Sequence, residues 1–155
     1  MPTQQISNPA GVWGESASCN GQLVAECVNG SGATLSVGQV VVLNPDGVTV
    51  TTTTTISSDL AYGVVLPRAG DGLAQIQAES FPANALLRIC HAGPARINIG
   101  SNTVAAGGLL STSATAGQAA VPATAATLGE VIAVALEAST AVDANGNIRA
   151  LIAKM

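Results

Sequence analysis

The stretch Gln39-Val40-Val41-Val42-Leu43-Asn44-Pro45-Asp46-Gly47-Val48-Thr49-Val50-Thr51 decides the fold class. Three consecutive valines are strongly β-forming, because branched side chains suit a pleated surface. Asn44-Pro45-Asp46-Gly47 then reads as a tight turn: Pro presets φ, and Gly supplies a left-handed position. Val48 to Ile56 returns as the partner strand. Val48, Val50 and Ile56 share one face with Thr52 and Thr54, whereas Thr49, Thr51, Thr53 and Thr55 line the other. This period of two predicts a half-buried strand with a threonine ladder facing water.

The same grammar extends outward. Gln22–Val28, Ala61–Leu66, Leu73–Ala78, Leu86–Cys90 and Ala95–Ile99 read as short strands. Asp71-Gly72, Gly93-Pro94 and Gly100-Ser101-Asn102 punctuate them. Residues 107–127 are rich in Ala, Thr, Ser and Gly, are interrupted by Pro122, and sustain no 3.6-residue stripe. They read as a loop with a short strand. Val131–Glu137 and Asn147–Ala153 form a final pair across Asp143-Ala144-Asn145-Gly146, whose Asn-Gly is a strong hairpin signal. Nine or ten such strands predict an all-β chain, a compact barrel-like or sandwich-like domain. Residues 1–18 hold Pro2 and Pro9 and no sustained period. They read as an extended N-terminal arm, with residues 19–155 as a single β domain.

Composition narrows the function. Of 155 residues only 9% are charged, and the aromatics are Trp13, Tyr62 and Phe81. A typical soluble domain carries about a quarter charged residues, so part of this surface is expected to lie in a permanent interface. The net charge of −4 repels phosphate backbones, which argues against a nucleic-acid partner. The longest apolar run, Val131–Leu136, is far short of the ~20 residues of a spanning helix, so no membrane partner is expected. Met1–Pro9 carries no basic residue and no apolar core beyond Ile6. With that start, Cys19, Cys27 and Cys90 are expected to be reduced thiols made in a cytoplasm. In the same setting the sequon Asn29-Gly30-Ser31 carries no glycan.

Catalytic constellations are sparse. Gly-x-Ser-x-Gly does not occur, and the single lysine, Lys154, rules out a P-loop. His91 is the only histidine, and its neighbour Cys90 points to the opposite face of a regular strand. His91 therefore reads as a strand-end or turn residue before Ala92-Gly93-Pro94. Cys19, Cys27, Cys90 and His91 match no zinc-site spacing, so the cysteines read as core packing. The carboxylates are scattered, several of them in turns. The expectation is a non-enzyme with no cofactor and no metal. Trp13 has two readings: an anchor in a partner's pocket, or a ring packed on its own domain.

From Leu35 onward the order of motifs resembles bacteriophage capsid decoration (head cement) proteins. The resembling stretches are Leu35-Ser36-Val37-Gly38-Gln39-Val40-Val41, Asp59-Leu60-Ala61-Tyr62-Gly63-Val64-Val65, Gly107-Gly108-Leu109-Leu110-Ser111-Thr112-Ser113, Ala116-Gly117-Gln118-Ala119, residues 129–137 and residues 148–152. Ala133 stands where that family has Gly. The resemblance implies a homotrimer on the exterior of an icosahedral virion, clamping neighbouring major capsid proteins, made in the host cytoplasm. Ile6, Pro9 and Trp13 of the arm are the candidate capsid contacts. A tail or fibre β-module is the alternative, and an enzyme of unfamiliar type using His91 or an acid pair is a further one.

Overall fold

The computed structural model describes residues 16–17, 21–74, 78–122 and 129–155, and over them the chain is all-β. Twelve strands are seen among the described residues: β1 Ser16–Ala17, β2 Leu23–Asn29, β3 Leu35–Ser36, β4 Val40–Leu43, β5 Thr49–Thr51, β6 Ala61–Leu66, β7 Ser80–Phe81, β8 Leu86–Asn98, β9 Leu109–Thr112, β10 Ala119–Ala120, β11 Ala133–Ala135 and β12 Asn147–Ala153. Strands β2, β5, β4, β6 and β8 pair in that order, and β8 pairs back to β2, which closes a five-stranded barrel. The β2–β5 pairing is parallel and the other four are antiparallel. Closure leaves no open edge within the ring. From β8 the sheet continues through β12, β11, β9 and β10.

Two cores follow from this layout. Ala25, Cys27, Val41, Val50, Val65, Leu87 and Ile89 fill the barrel from its five strands. Leu35 and Phe81, paired across the small β3–β7 sheet, close one end of it. The second core lies between the barrel wall and the sheet extension. Val40, Val64 and Cys90 meet Ile97, Leu110, Ile132, Ile148, Ala150 and Ile152 there.

The turn at Asn44–Gly47 forms as its residues demand. Gly47 has φ +70, its N–H donates to the Asn44 carbonyl (3.0 Å), and the Asp46 carboxylate accepts from the N–H groups of Val48 and Thr49. The returning strand, however, covers Thr49–Thr51 and not Val48–Ile56. Val50 is fully buried, whereas Val48 and Ile56 are exposed. Beyond Thr51 the chain leaves the barrel and crosses to β9. Thr112 Oγ1 donates to the Thr55 carbonyl (2.7 Å) and the Ser57 N–H donates to the Thr112 carbonyl (3.0 Å). Beyond Val50 the next five residues are all threonine, and threonines alone do not hold a strand in place.

Residues 86–98 form one strand of 13 residues, not two strands parted by Gly93-Pro94. The dipeptide is a corner inside the strand. Gly93 has φ +103, and the β2–β8 register shifts between Leu23 and Val24 beside it. Before the corner Leu87 and Ile89 point into the barrel, and after it Ala95 and Ile97 point into the second core. Pro94 lacks an N–H, but its carbonyl accepts from Gln22 Nε2 (2.7 Å). His91 accordingly lies within a strand rather than at a strand end or turn.

Other boundaries shift. Leu73, Ala74 and Ala78 are outside any strand, and residues 75–77 are not described. Residues 107–122 contain a β9–β10 hairpin where one short strand was expected. The strand expected over Val131–Glu137 is Ala133–Ala135. It reaches β12 through a 3-10 turn, Ser139–Ala141, so the Asn-Gly turn opens β12 rather than making a two-residue hairpin. Among the described residues no helix is long and apolar enough to cross a membrane.

Candidate functional site

The outer face of the β8–β12–β11–β9 sheet presents an apolar row. The register places Pro94 opposite Leu151, Leu151 opposite Val134, and Val134 opposite Leu109. Inner neighbours on the same strands, Ala95, Ala150, Ile152, Ala133 and Leu110, are fully buried, so the outer set faces away from the core. Leu151 and Leu109 are 42% and 44% exposed. Leu136 continues the face beyond β11, with its N–H on the Arg149 carbonyl. A second row runs Leu23, Ala92, Ala153 from β2 to β12. Single exposed leucines are ordinary, but adjoining rows across one sheet make this face the candidate for an interaction surface.

This face is bordered by charge that is already neutralised. Arg149 and Arg96 lie directly opposite each other on β12 and β8, an arrangement that destabilises unless each finds a partner. Arg149 Nε is 2.6 Å from Glu137 Oε1. Arg96 is 3.2 Å from the Asp143 carboxylate, in a largely buried pair, and its Nε also donates to the Leu73 carbonyl. The Arg149 backbone N–H and then its guanidinium hold the Glu137 carboxyl below the usual carboxylate range. Between these ion pairs the exposed surface of the face is mainly aliphatic, with the half-exposed Arg149 side chain at its border.

The residues singled out for chemistry are dispersed. His91 stacks on Tyr62 with ring centroids 5.6 Å apart, against the barrel. Cys90 belongs to the second core, and its Sγ donates to the Ala92 carbonyl (3.2 Å). Cys27 belongs to the barrel core. Burial pushes the Cys90 thiol up to about 11, and burial followed by the Asp46 charge raises Cys27. Both thiols are therefore protonated and poor nucleophiles near neutral pH. Among the described residues no three His, Cys, Asp or Glu side chains gather as a metal set. Cys19 and the arm residues Ile6, Pro9 and Trp13 lie outside the described residues.

Asn29 of the sequon is fully buried, and its side chain is structural. Its Nδ2 donates to the carbonyls of Ala33, Phe81 and Pro82, and its Oδ1 accepts from the Ser31 N–H and hydroxyl. These bonds pin the chain between β2 and β3 to the β7 region.

The apolar row was not singled out from sequence. Its one signal was in Asn147–Ala153, where apolar residues occupy both faces of the strand: Ile148, Ala150 and Ile152 on one, Leu151 and Ala153 on the other.

No protein-family model matches the sequence, and no curated protein matches it. The fold is similar to that of the head fiber gp8.5 N base of bacteriophage phi29. The TM-score is 0.50 at 12% identity, over 84% of this chain and 95% of that one. At that identity the likeness establishes a shared fold.

Proposed function

We propose that this chain is a structural, non-catalytic protein of a bacteriophage virion, displayed on the outside of the head. The observation that carries the reading is the fold shared, over most of both chains, with the base of a phage head fibre. The low charge content and the aliphatic outer face of β8, β12, β11 and β9 support it, because both suit a chain held in a permanent assembly. Dispersed Cys and His residues give no support to the enzyme alternative.

In this reading the protein binds as a trimer between neighbouring major capsid proteins and clamps them. The apolar face supplies one contact. Four strands by about five residues give a footprint on the order of 300 Å² from strand spacing and rise, short of the ~800 Å² per partner of a standard interface. The arm, with Ile6, Pro9 and Trp13, supplies the remainder by crossing to a neighbour, and strand addition is the natural mode for such a segment. A fibre module is the second reading, favoured by the same likeness: the domain would then be the base on which a fibre stands.

The test is quantitative mass spectrometry of purified particles, scaled to the major capsid protein. A copy number comparable to that of the capsid subunits supports shell-wide decoration. A number far below it favours a fibre or tail component, and absence from particles refutes the virion reading.

A further inference from the structure

On the outer face of β8 and β12, beyond the opposed Arg96 and Arg149, Asn98 lies opposite Asn147. Three connections meet the sheet here and enclose a cleft of about 260 Å³, open to solvent on one side. They are the β3–β4 link at Val37 and Gln39, the β9–β10 turn at Ala116 and Gln118, and the turn at Asp143 and Asn145 that leads into β12. Backbone bonds hold them in place. The Asn98 N–H donates to the Gly38 carbonyl, the Val40 N–H to the Gly117 carbonyl and the Ile99 N–H to the Gly146 carbonyl, each at 2.8 Å. Glycines let the amide side chains lie flat on this backbone. A Cβ at Gly38 would meet Asn147 at 2.4 Å, one at Gly100 would meet Gln118 at 2.4 Å, and one at Gly117 would meet Gln39 at 2.8 Å.

The protein itself uses only part of the hydrogen-bonding capacity around the cleft. Asn147 is 3% exposed, and its Oδ1 accepts from Asn98 Nδ2 (3.0 Å), which leaves its Nδ2 without a hydrogen bond among the described residues. The Arg96 side chain is 10% exposed. Its Nε donates to the Leu73 carbonyl and its Nη1 to Asp143, while Nη2 has no acceptor among the described residues. Gln39 commits Oε1 to the Ser36 N–H (2.8 Å) and keeps Nε2. Asn98 commits Nδ2 to the Asn145 carbonyl and Asn147, and keeps Oδ1. Gln118 makes no side-chain hydrogen bond among the described residues, so both of its amide atoms are available. Buried N–H groups are paired as a rule, so two such groups opening into one cleft call for an occupant that brings acceptors.

The lining also selects the kind of occupant. Arg96 is neutralised by Asp143, and Glu79 is paired with Arg68. An anion would meet the Asp143 and Glu79 carboxylates, and a cation would meet Arg96. No aromatic ring lines the cleft, and its apolar lining is Val37, Ala78 and Ala116, so neither a flat ring nor an acyl chain finds a platform. What converges is a neutral set of open donors and open acceptors. A hydroxyl gives one hydrogen bond and accepts others, so neighbouring hydroxyls on one ring match such a mixed set. The volume of about 260 Å³ corresponds to roughly nine waters at ~30 Å³ each, which suits a single sugar ring.

We propose that this cleft binds one residue of a neutral saccharide, through hydrogen bonds to Asn147, Arg96, Gln39, Asn98 and Gln118. The site rests on the cleft alone and is independent of the virion reading. Without a stacking platform the affinity is in the millimolar range.

The test is titration of the isotopically labelled full chain with the methyl glycosides of glucose, galactose, mannose and N-acetylglucosamine, followed by amide NMR. At least one glycoside is expected to shift the side-chain signals of Asn147, Gln39 and Gln118 saturably. Gln118 holds no other group in place, so Gln118→Ala is expected to keep the parent backbone spectrum and to weaken binding roughly fivefold or more. Shifts that fail to saturate for every glycoside, or that fall outside the cleft, overturn the proposal. Unchanged affinity in the Gln118→Ala chain overturns it as well. N-acetylglycine N-methylamide and sodium acetate serve as peptide and anion probes. If either saturates the cleft signals while no glycoside does, the site takes a peptide or an anion and the saccharide assignment is wrong.

Discussion

Replacing Gly93 by Ala tests whether the corner in β8 is the joint between the two cores. Gly93 has φ +103, outside the range L side chains adopt readily. An added Cβ there would lie 2.3 Å from the Gly21 carbonyl oxygen and 2.8 Å from Gln22 Cα. Both are backbone atoms, and Gln22 is tied down through bonds from its Nε2 to the carbonyls of Asp71 and Pro94. The backbone conformation costs about 1–3 kcal/mol. Forcing the Gly21–Gln22 backbone away adds about 1–3 kcal/mol, the scale of overpacking. The expected loss is about 2–6 kcal/mol, a large share of the ~5–15 kcal/mol of a natural domain. At ~2–4 °C per kcal/mol this lowers Tm by roughly 4–24 °C. Gly47→Ala is the control, since φ there is +70 and nothing lies within 4 Å of the new Cβ. It should cost only about 1–2 kcal/mol of backbone strain. Guanidinium unfolding of both variants separates the clash from the strain. If Gly93→Ala costs no more than Gly47→Ala, the Gly21–Gln22 segment yields freely and the corner is not a fixed joint.

Four further outcomes are expected. Leu151→Asp and Leu109→Asp, both on the exposed row, should leave stability within about 1 kcal/mol yet weaken particle binding by roughly tenfold or more; unchanged binding in a pull-down on purified shells removes that face as the contact. Thiol titration of the folded chain should spare Cys27 and Cys90, whose burial keeps them protonated, and count all three cysteines only after unfolding. Glu137 has a depressed folded pKa, so its contribution is present above the ordinary Glu range and lost as pH falls through the lower folded value; the stability advantage of the parent over Glu137→Gln, followed by urea unfolding, should shrink toward zero below pH ~4. Asn29→Ala should cost about 2–4 kcal/mol, because it leaves several buried carbonyls and the Ser31 N–H without their partner, as denaturant midpoints will register.

Local chemistry was legible where a residue carries its own constraint. The Ala61–Leu66 and Asn147–Ala153 strands begin and end where alternation and turn residues place them. The turn at Asn44–Gly47 needs only proline's fixed φ and glycine's freedom. Period two misled in Val48–Ile56, because threonine is indifferent to which face is buried and the pull of Thr112 on Thr55 is invisible from sequence. Gly93-Pro94 misled for a related reason. The pair breaks a ladder locally, but β12 pairs straight through it and restores the strand.

The candidate site divides along the same line. Low charge content raised the expectation of a surface held in an interface, without indicating where on the fold it would be. The row Pro94, Leu151, Val134, Leu109 draws on four strands spread over residues 94–151, so it exists only once pairing sets their register. A shift of one residue would turn the same leucines into the core.

By itself, then, the sequence determined that this chain is β-structured, turn-rich and poor in charge, because those properties come from short-range sterics and from composition. Barrel closure, the division into two cores and the aliphatic outer face were decided by tertiary structure alone. They depend on the β2–β8 and β8–β12 pairings, which join residues roughly 50 to 70 apart, and no periodicity within a strand encodes its partner.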